Sequence, residues 1–267
     1  MVKLPETKNS ILELNNSWLT FWFNRPEKRN ALSSDLLEDI RNTLSAIKED
    51  RSIRGIIFRG KGGVFCAGAD LDAIKKISMS GDEAYSNSLK MSEEVGEVFK
   101  MISIAPQFTV SVVEGAAMAG AFGIVCATDL LVTMADAKYA LTETRIGLTP
   151  AQIAPYVFNR LGFAKARKMM LLGSLINGRD AYEIGLADYL VDKEEKIIDI
   201  LFDIKQQVKK CAPNALALTK EIISGNSHVD TKRAAEYFSS CIVNEEGREG
   251  FNSFFEKRKP YWAMDCL

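Results

Sequence analysis

Histidine is nearly absent from this 267-residue chain: His228 is the single one. A Ser-His-Asp or Cys-His mechanism would have to run through it alone, and no GxSxG-type nucleophile motif accompanies it. Metal catalysis through histidines finds no support for the same reason. His228 stands in Gly225-Asn226-Ser227-His228-Val229, ahead of a helical pattern, where a loop or cap position is expected. Paired cysteines are lacking too. Cys66, Cys126, Cys211, Cys241 and Cys266 are an odd count at long intervals without CxxC spacing. No disulfide framework or zinc site can be read from them, and a reducing, cytoplasmic setting is expected. Neither charge is in excess: 34 Lys+Arg against 35 Asp+Glu argues against a surface built to grip nucleic acid. No apolar run approaches the roughly 20 residues of a membrane span. The longest candidates carry Glu114 and Asp129. The opening Met1–Thr7 has neither the apolar core of a secretion signal nor the Arg/Ser-rich look of a transit peptide. Any catalysis therefore falls to carboxylates and backbone groups.

What is present is ample core material, 47 % hydrophobic, enough for one large α/β domain or one domain with a helical appendage. Ile11–Leu14 and Trp18–Phe23 read as strands around an Asn15-Asn16 turn. Leu36, Leu37, Ile40, Leu44 and Ile47 follow at helical spacing. Gly55–Arg59, Phe108–Val113 and Leu130–Val132 are buried strands, with a helical stretch from Asp82 to Ile102 between the first two. Strand, loop, helix and strand recur at intervals of roughly fifty residues, which suggests a repeated ββα unit. Beyond Pro150, helical periodicity runs through 164–172, 194–208, 215–223 and 234–243, and Tyr189–Val191 is the one late strand expected. The expected division is a core over residues 1–200 and a helical region over 201–267.

Two glycine-rich loops follow buried strands, Gly60-Lys61-Gly62-Gly63-Val64-Phe65-Cys66-Ala67-Gly68-Ala69-Asp70-Leu71 and Glu114 through Gly123. Small residues there let a ligand approach the main chain, and the following helix points free N–H groups at it. A tight turn with helix packing is the competing reading of each loop alone. Neither loop is a phosphate cradle of the GxxxxGK[ST] or GxGxxG kind.

Taken together, five segments are far more specific: Phe23–Leu32, Phe65–Leu71, Val113–Asp129, Glu143-Thr144-Arg145-Ile146-Gly147-Leu148 and Phe254-Phe255-Glu256-Lys257-Arg258. In order and spacing they resemble the enoyl-CoA hydratase/isomerase (crotonase) superfamily over nearly the whole chain. The resemblance implies a crotonase-like α/β spiral of ββα repeats, with a helical C-terminal region that makes homotrimers, commonly paired into hexamers. It implies an acyl-CoA thioester substrate and no separate cofactor, coenzyme A being part of the substrate. On the matched motifs, the backbone N–H groups of Ala69 and Gly120 would form the oxyanion hole, and Glu143 would be the catalytic carboxylate. Coenzyme A would lie along Lys28, Arg29, Ala67, Ala69, Asp70 and Leu71, with Lys257, on the terminal helix, reaching a phosphate from a neighbouring subunit. A solvated surface position is the competing reading of both lysines; Glu27 stands where many members carry a contacting lysine.

The chain departs from the two-acid hydratase pattern at Gly123, where the second glutamate falls and no proton can be carried. Glu114 and Asp129 lie on the wrong sides of the motif to replace it, and Asp129 reads as structural. Phe122-Gly123-Ile124 together with Thr149–Tyr156 resembles the hydratases of methylglutaconyl-CoA and isohexenylglutaconyl-CoA. Reversible hydration of an α,β-unsaturated acyl-CoA, on a branched glutaconyl-type substrate, is the leading expectation. A Δ3,Δ2-enoyl-CoA isomerase needs a single base and is the alternative, ahead of thioester hydrolysis. A non-catalytic acyl-CoA- or RNA-binding relative is the reading from another class, and the balanced charge gives RNA little support. Met91, Val95, Phe99, Ile153 and Tyr156 are candidates to line the acyl pocket, or plain core at helical spacing.

Overall fold

The computed structural model describes residues 3–224 and 229–264, so His228 and Cys266 lie outside the described residues. The chain opens with a hairpin, β1 (Ser10–Asn15) antiparallel to β2 (Trp18–Phe23). Its turn is Asn16-Ser17, one residue later than the sequence suggests, with both at positive φ (47° and 66°). That is the backbone of a two-residue turn matched to strand twist. α1 (Ser34–Ile47) is capped by Ser33, whose hydroxyl accepts from Leu36 N, and buries Leu36, Leu37, Ile40, Leu44 and Ile47.

From there the chain repeats one motion. A long strand joins a six-stranded sheet, a short segment joins a second sheet, and a helix returns. The long strands are β3 (Gly55–Gly60), β4 (Phe108–Val113) and, after β5 (Ala116–Met118) and α4 (Gly120–Ala127), β6 (Leu130–Met134). Between β3 and β4 run α2 (Leu71–Ser78) and α3 (Ala84–Ser103). β7 (Lys138–Ala140), α5 (Ala154–Leu172), β8 (Ile176–Asn177), α6 (Gly178–Glu183) and β9 (Tyr189–Val191) complete the turns. The first sheet has the order β1-β2-β3-β4-β6-β9, parallel throughout after the hairpin, and the second has β5-β7-β8. Single bridges, Leu32 to Ala69 and Cys66 to Ala117, extend the second sheet. This is the expected ββα spiral. α7 (Glu195–Lys209), α8 (Pro213–Ser224), α9 (Thr231–Val243) and α10 (Glu245–Phe255) follow.

Alternation along β3 shows where the core sits. Ile56 and Phe58 face inward with Phe21, Phe23, Phe65, Phe99, Phe122 and Tyr139, whereas Ile57 faces Val110, Val132 and the Ile197, Ile204 and Val208 stripe of α7. α4, Gly-Ala-Phe-Gly-Ile-Val-Cys-Ala, is apolar all round and buried from Ala121 to Ala127, as a helix inside the core must be. α5 starts well before its periodic stretch, because Pro155 suits a first turn and Gly162 (φ 70°) kinks the helix and shifts its apolar phase. The second sheet and α6 were not expected, since their segments are too short to carry a period; α2 is the helix expected after the first glycine-rich loop, and α10 is the terminal helix, which ends at Phe255.

Lys220 ties α8 to the sheet. Its ammonium, 7 % exposed, donates to Asp129 Oδ2 (2.5 Å) and to the Gln107 carbonyl (2.8 Å). Asp129 Oδ2 also accepts from Thr109 N and Oγ1 just ahead of β6, so its role is structural. Burial lowers the Lys220 pKa and the carboxylate opposes it. Asp129→Ala strands the ammonium and is expected to cost about 3–5 kcal/mol in urea unfolding. Lys220→Met, which leaves Asp129 its threonine donors, is expected to cost less; equal losses would contradict this account.

Candidate active site

The second sheet brings three distant segments to one level. Cys66 bridges Ala117, and Ala117 pairs with Tyr139. A few residues beyond that row, in chain order, lie Ala69, Gly120 and Glu143.

The loops leading there touch closely. Gly68 has φ 94°, and a Cβ on it would stand 2.7 Å from the Met118 carbonyl oxygen and 3.1 Å from the Ala119 methyl. No other residue fits both restrictions. Leu32 N donates to Gly68 O (2.8 Å) and Asp70 N donates to Leu32 O (3.2 Å), which turns the intervening Ala69 amide away from that strand. Ala119, across the contact, is held at φ 47°, ψ −117°, a costly conformation for a residue with a side chain. Its N–H donates to Ala140 O (2.9 Å) and its carbonyl accepts from Phe122 N (2.9 Å). Gly120 is the first residue of α4, at the end where the helix dipole is positive. Among the described residues, neither the Ala69 nor the Gly120 amide donates to another group. Cys66, nearby, is no nucleophile: burial pushes its thiol up to about 12.

Glu143 begins a 3-10 turn clamped to the end of α5. Thr144 Oγ1 donates to Met170 O and Arg145 Nε to Leu172 O, each at 3.2 Å. The Glu143 side chain is buried, and its Oε2 has no hydrogen-bond partner among the described residues. Burial raises its pKa above the ordinary carboxylate value, opposed by its own backbone N–H. A buried carboxylate oxygen without a donor is costly, and such groups concentrate where chemistry is done.

Gly123, one turn into α4, faces the ring of Phe99: a Cβ there would lie 2.8 Å from Cζ. Phe99 is wholly buried and meets Tyr156 edge to face, with centroids 5.9 Å apart. Glu114 is committed to Arg59 (2.5 and 2.8 Å), and Asp129 to Lys220. Neither can substitute for an acid at Gly123.

The enoyl-CoA hydratase/isomerase family model matches residues 13–265. This chain belongs to that family. It is 27 % identical over 259 residues to the crotonyl-CoA hydratase of Syntrophomonas wolfei, covering 94 % of this chain and 96 % of that one. Among solved structures it is similar to Pseudomonas aeruginosa AtuE, with a TM-score of 0.91 and 35 % identity over 96 % of this chain and 100 % of that chain. An enoyl-CoA hydratase/isomerase from Marinobacter aquaeolei gives 0.90 and 34 %, covering 96 % and 99 %. The spiral described above is the crotonase fold.

Most of the residues matched to the family's coenzyme A contacts form one surface beside Ala69. Ala67 N donates to Arg29 O (3.0 Å), and Lys28, exposed, pairs with Asp72 (3.1 Å). Asp70 caps α2 by accepting from Asp72 N and pairs with Arg25 (3.3 Å), while Leu71 is 65 % exposed. Arg25 was missed in the sequence; the Arg25-Pro26 turn preceding Lys28 was its signal. Lys257 was expected on the terminal helix. It lies past the end of α10, not on it, with φ 53°. The terminal segment around it runs to Trp262, whose carbonyl accepts from Arg54 just ahead of β3 and whose indole donates to Lys210 O just past α7, whereas the site loop leaves the other end of β3.

The Glu143 carboxyl sets a pH test of stability. Its folded pKa is raised, so the stability it contributes is full below the unfolded value near 4.5 and lost as pH rises through the folded value. Glu143→Gln removes that penalty. At pH 7 it is expected to raise the midpoint of thermal unfolding by a few degrees, for about 1 kcal/mol relieved. Near pH 4 the difference closes. A variant less stable than wild type at pH 7 would contradict the assignment.

Proposed function

We propose that the protein reversibly hydrates an α,β-unsaturated acyl-CoA, with Glu143 as the base. The observation that carries this reading is a buried carboxylate oxygen with no donor among the described residues, following the same short-strand ladder as two backbone amides that likewise donate to none of them. Glu143 takes a proton from water, and the hydroxide oxygen bonds to C3 as the C2–C3 π electrons move onto the thioester. The negative charge that develops on the carbonyl oxygen is met by the N–H groups of Ala69 and Gly120. Each such donor contributes about 3–4 kcal/mol to transition-state stabilisation. C2 then takes a proton from Glu143 or from water, which restores the carbonyl. The backbone supplies the oxyanion donors, so Ala and Gly serve there.

In this reading Lys28, Arg29, Ala67, Asp70 and Leu71 carry coenzyme A, and Lys257 contributes from a neighbouring subunit of a cytoplasmic trimer or hexamer. Exposed Phe238, Phe251, Phe254 and Phe255 on α9 and α10 support such an assembly. Phe122-Gly123-Ile124 and Thr149–Tyr156 support a branched glutaconyl-type substrate. Isomerisation of a 3-enoyl-CoA is the second reading. It moves one proton between C4 and C2 and needs one base, which suits Gly123 packed against Phe99.

The assay is loss of enoyl absorbance with crotonyl-CoA and 3-methylglutaconyl-CoA; a 3-enoyl-CoA would instead gain conjugated absorbance. Glu143→Gln is expected to lower kcat by roughly 10²–10⁴ with little change in affinity. The base must be ionised, so the acidic limb of the wild-type rate profile should fall above the ordinary carboxylate value. No turnover of either enoyl-CoA, or a Glu143→Gln enzyme retaining more than about a tenth of kcat, would overturn the hydratase reading.

A further inference from the structure

We infer that the Phe99–Tyr156 ring pair is a wall that sets acyl-chain length, closing the reaction centre off from a cavity of about 730 Å³ behind it. The inference rests on the acyl-CoA reading of the site. Gly123 lies three positions beyond Gly120, whose amide would meet the thioester oxygen, an advance of about 4.5 Å along the helix axis. At that depth the Phe99 ring closes on the backbone, with Cζ and both Cε atoms within 3.1 Å of a Cβ built on Gly123. A straight acyl chain directed along α4 meets the ring edge there.

Behind the ring the packing opens. Tyr156, half-buried, meets Phe99 on one side and lines the cavity on the other. Cys126 and Ala127, in the next turn of α4, line the same cavity, so the two sides of the ring pair lie about one helical turn apart on one helix. Phe108, Leu216 and Ile223 add apolar wall. The charged groups that reach the cavity are already paired, Lys220 with Asp129 and Arg160 with Asp188. An uncharged hydrocarbon tail is the occupant that fits.

The wall has firm supports. Gln152 seats its Oε1 against Gly96, where a Cβ would lie 2.2 Å away, and its Nε2 donates to Ser92 Oγ (3.2 Å). This contact locks α3 to the segment entering α5. Phe99 lies about one turn beyond Gly96, and Tyr156 about one turn beyond Gln152, so the same lock holds both rings.

The test is equilibrium binding of butyryl-CoA and decanoyl-CoA, measured calorimetrically on wild type, Phe99→Ala, Phe99→Leu and Tyr156→Ala. Saturated thioesters are not turned over, so the result is independent of the reaction catalysed. Wild type is expected to bind the two with similar affinity. The variants are expected to raise the preference for decanoyl-CoA over butyryl-CoA by roughly tenfold or more, since each added methylene gains apolar burial. Phe99→Leu and Tyr156→Ala keep the test valid if Phe99→Ala, which hollows the core, does not fold. A preference unchanged within about twofold in variants with native circular dichroism overturns the inference, as does an equal weakening of both ligands. Wild type that binds neither thioester overturns it together with the acyl-CoA reading. Length-dependent binding without turnover of any enoyl-CoA removes the hydratase reading alone and leaves the wall standing.

Discussion

The register of the second sheet is the constraint on which the rest of the site depends. Cys66, Ala117 and Tyr139 sit side by side in a ladder of very short segments, and each chain then runs on a few residues to a chemical group. Slipping one of these pairings by a residue would turn an amide or a carboxylate to the other face. Segments this short cannot hold a register by themselves. They are held because each is the continuation of a long strand already fixed in the six-stranded parallel sheet, whose buried Ile, Val and Phe side chains supply the stability.

That stability is drawn on locally. Ala119 at positive φ, Gly68 pressed against the Met118 carbonyl, and a carboxylate oxygen buried without a donor are each unfavourable alone. They occur within one small region, and the surrounding packing over-determines them. The same region holds two amides that donate to no group among the described residues, as a pre-aimed charge-stabilising site requires. Rigidity in the sheet and tension in the loops are thus two aspects of one arrangement.

How much of this was legible depended on the length scale of the signal. β2, β3, β4 and α1 were readable because their apolar residues repeat over five or more positions. β5, β7 and β8 were not, since two or three residues carry no period, and they are the strands that assemble the site. Ala69, Gly120 and Glu143 were reached through resemblance, because a backbone donor leaves no mark in side-chain chemistry. Arg25 and Ala119 went unread for related reasons: one acts across a long sequence gap on Asp70, and the other matters through its dihedral angles. The spiral itself was legible, as a loose recurrence that the two-sheet arrangement explains. Lys257 shows a related limit: the motif match put it on a terminal helix, and α10 ends before it at Phe255.

The contact between Gly123 and Phe99 also bears on how such a site can change by descent. A side chain introduced at Gly123 meets an aromatic ring that cannot yield, and a smaller residue at position 99 leaves a void beneath a helix buried on every side. Each step is unfavourable without the other, so the two positions are epistatic. Exchange at either position is tolerated only when the other changes with it.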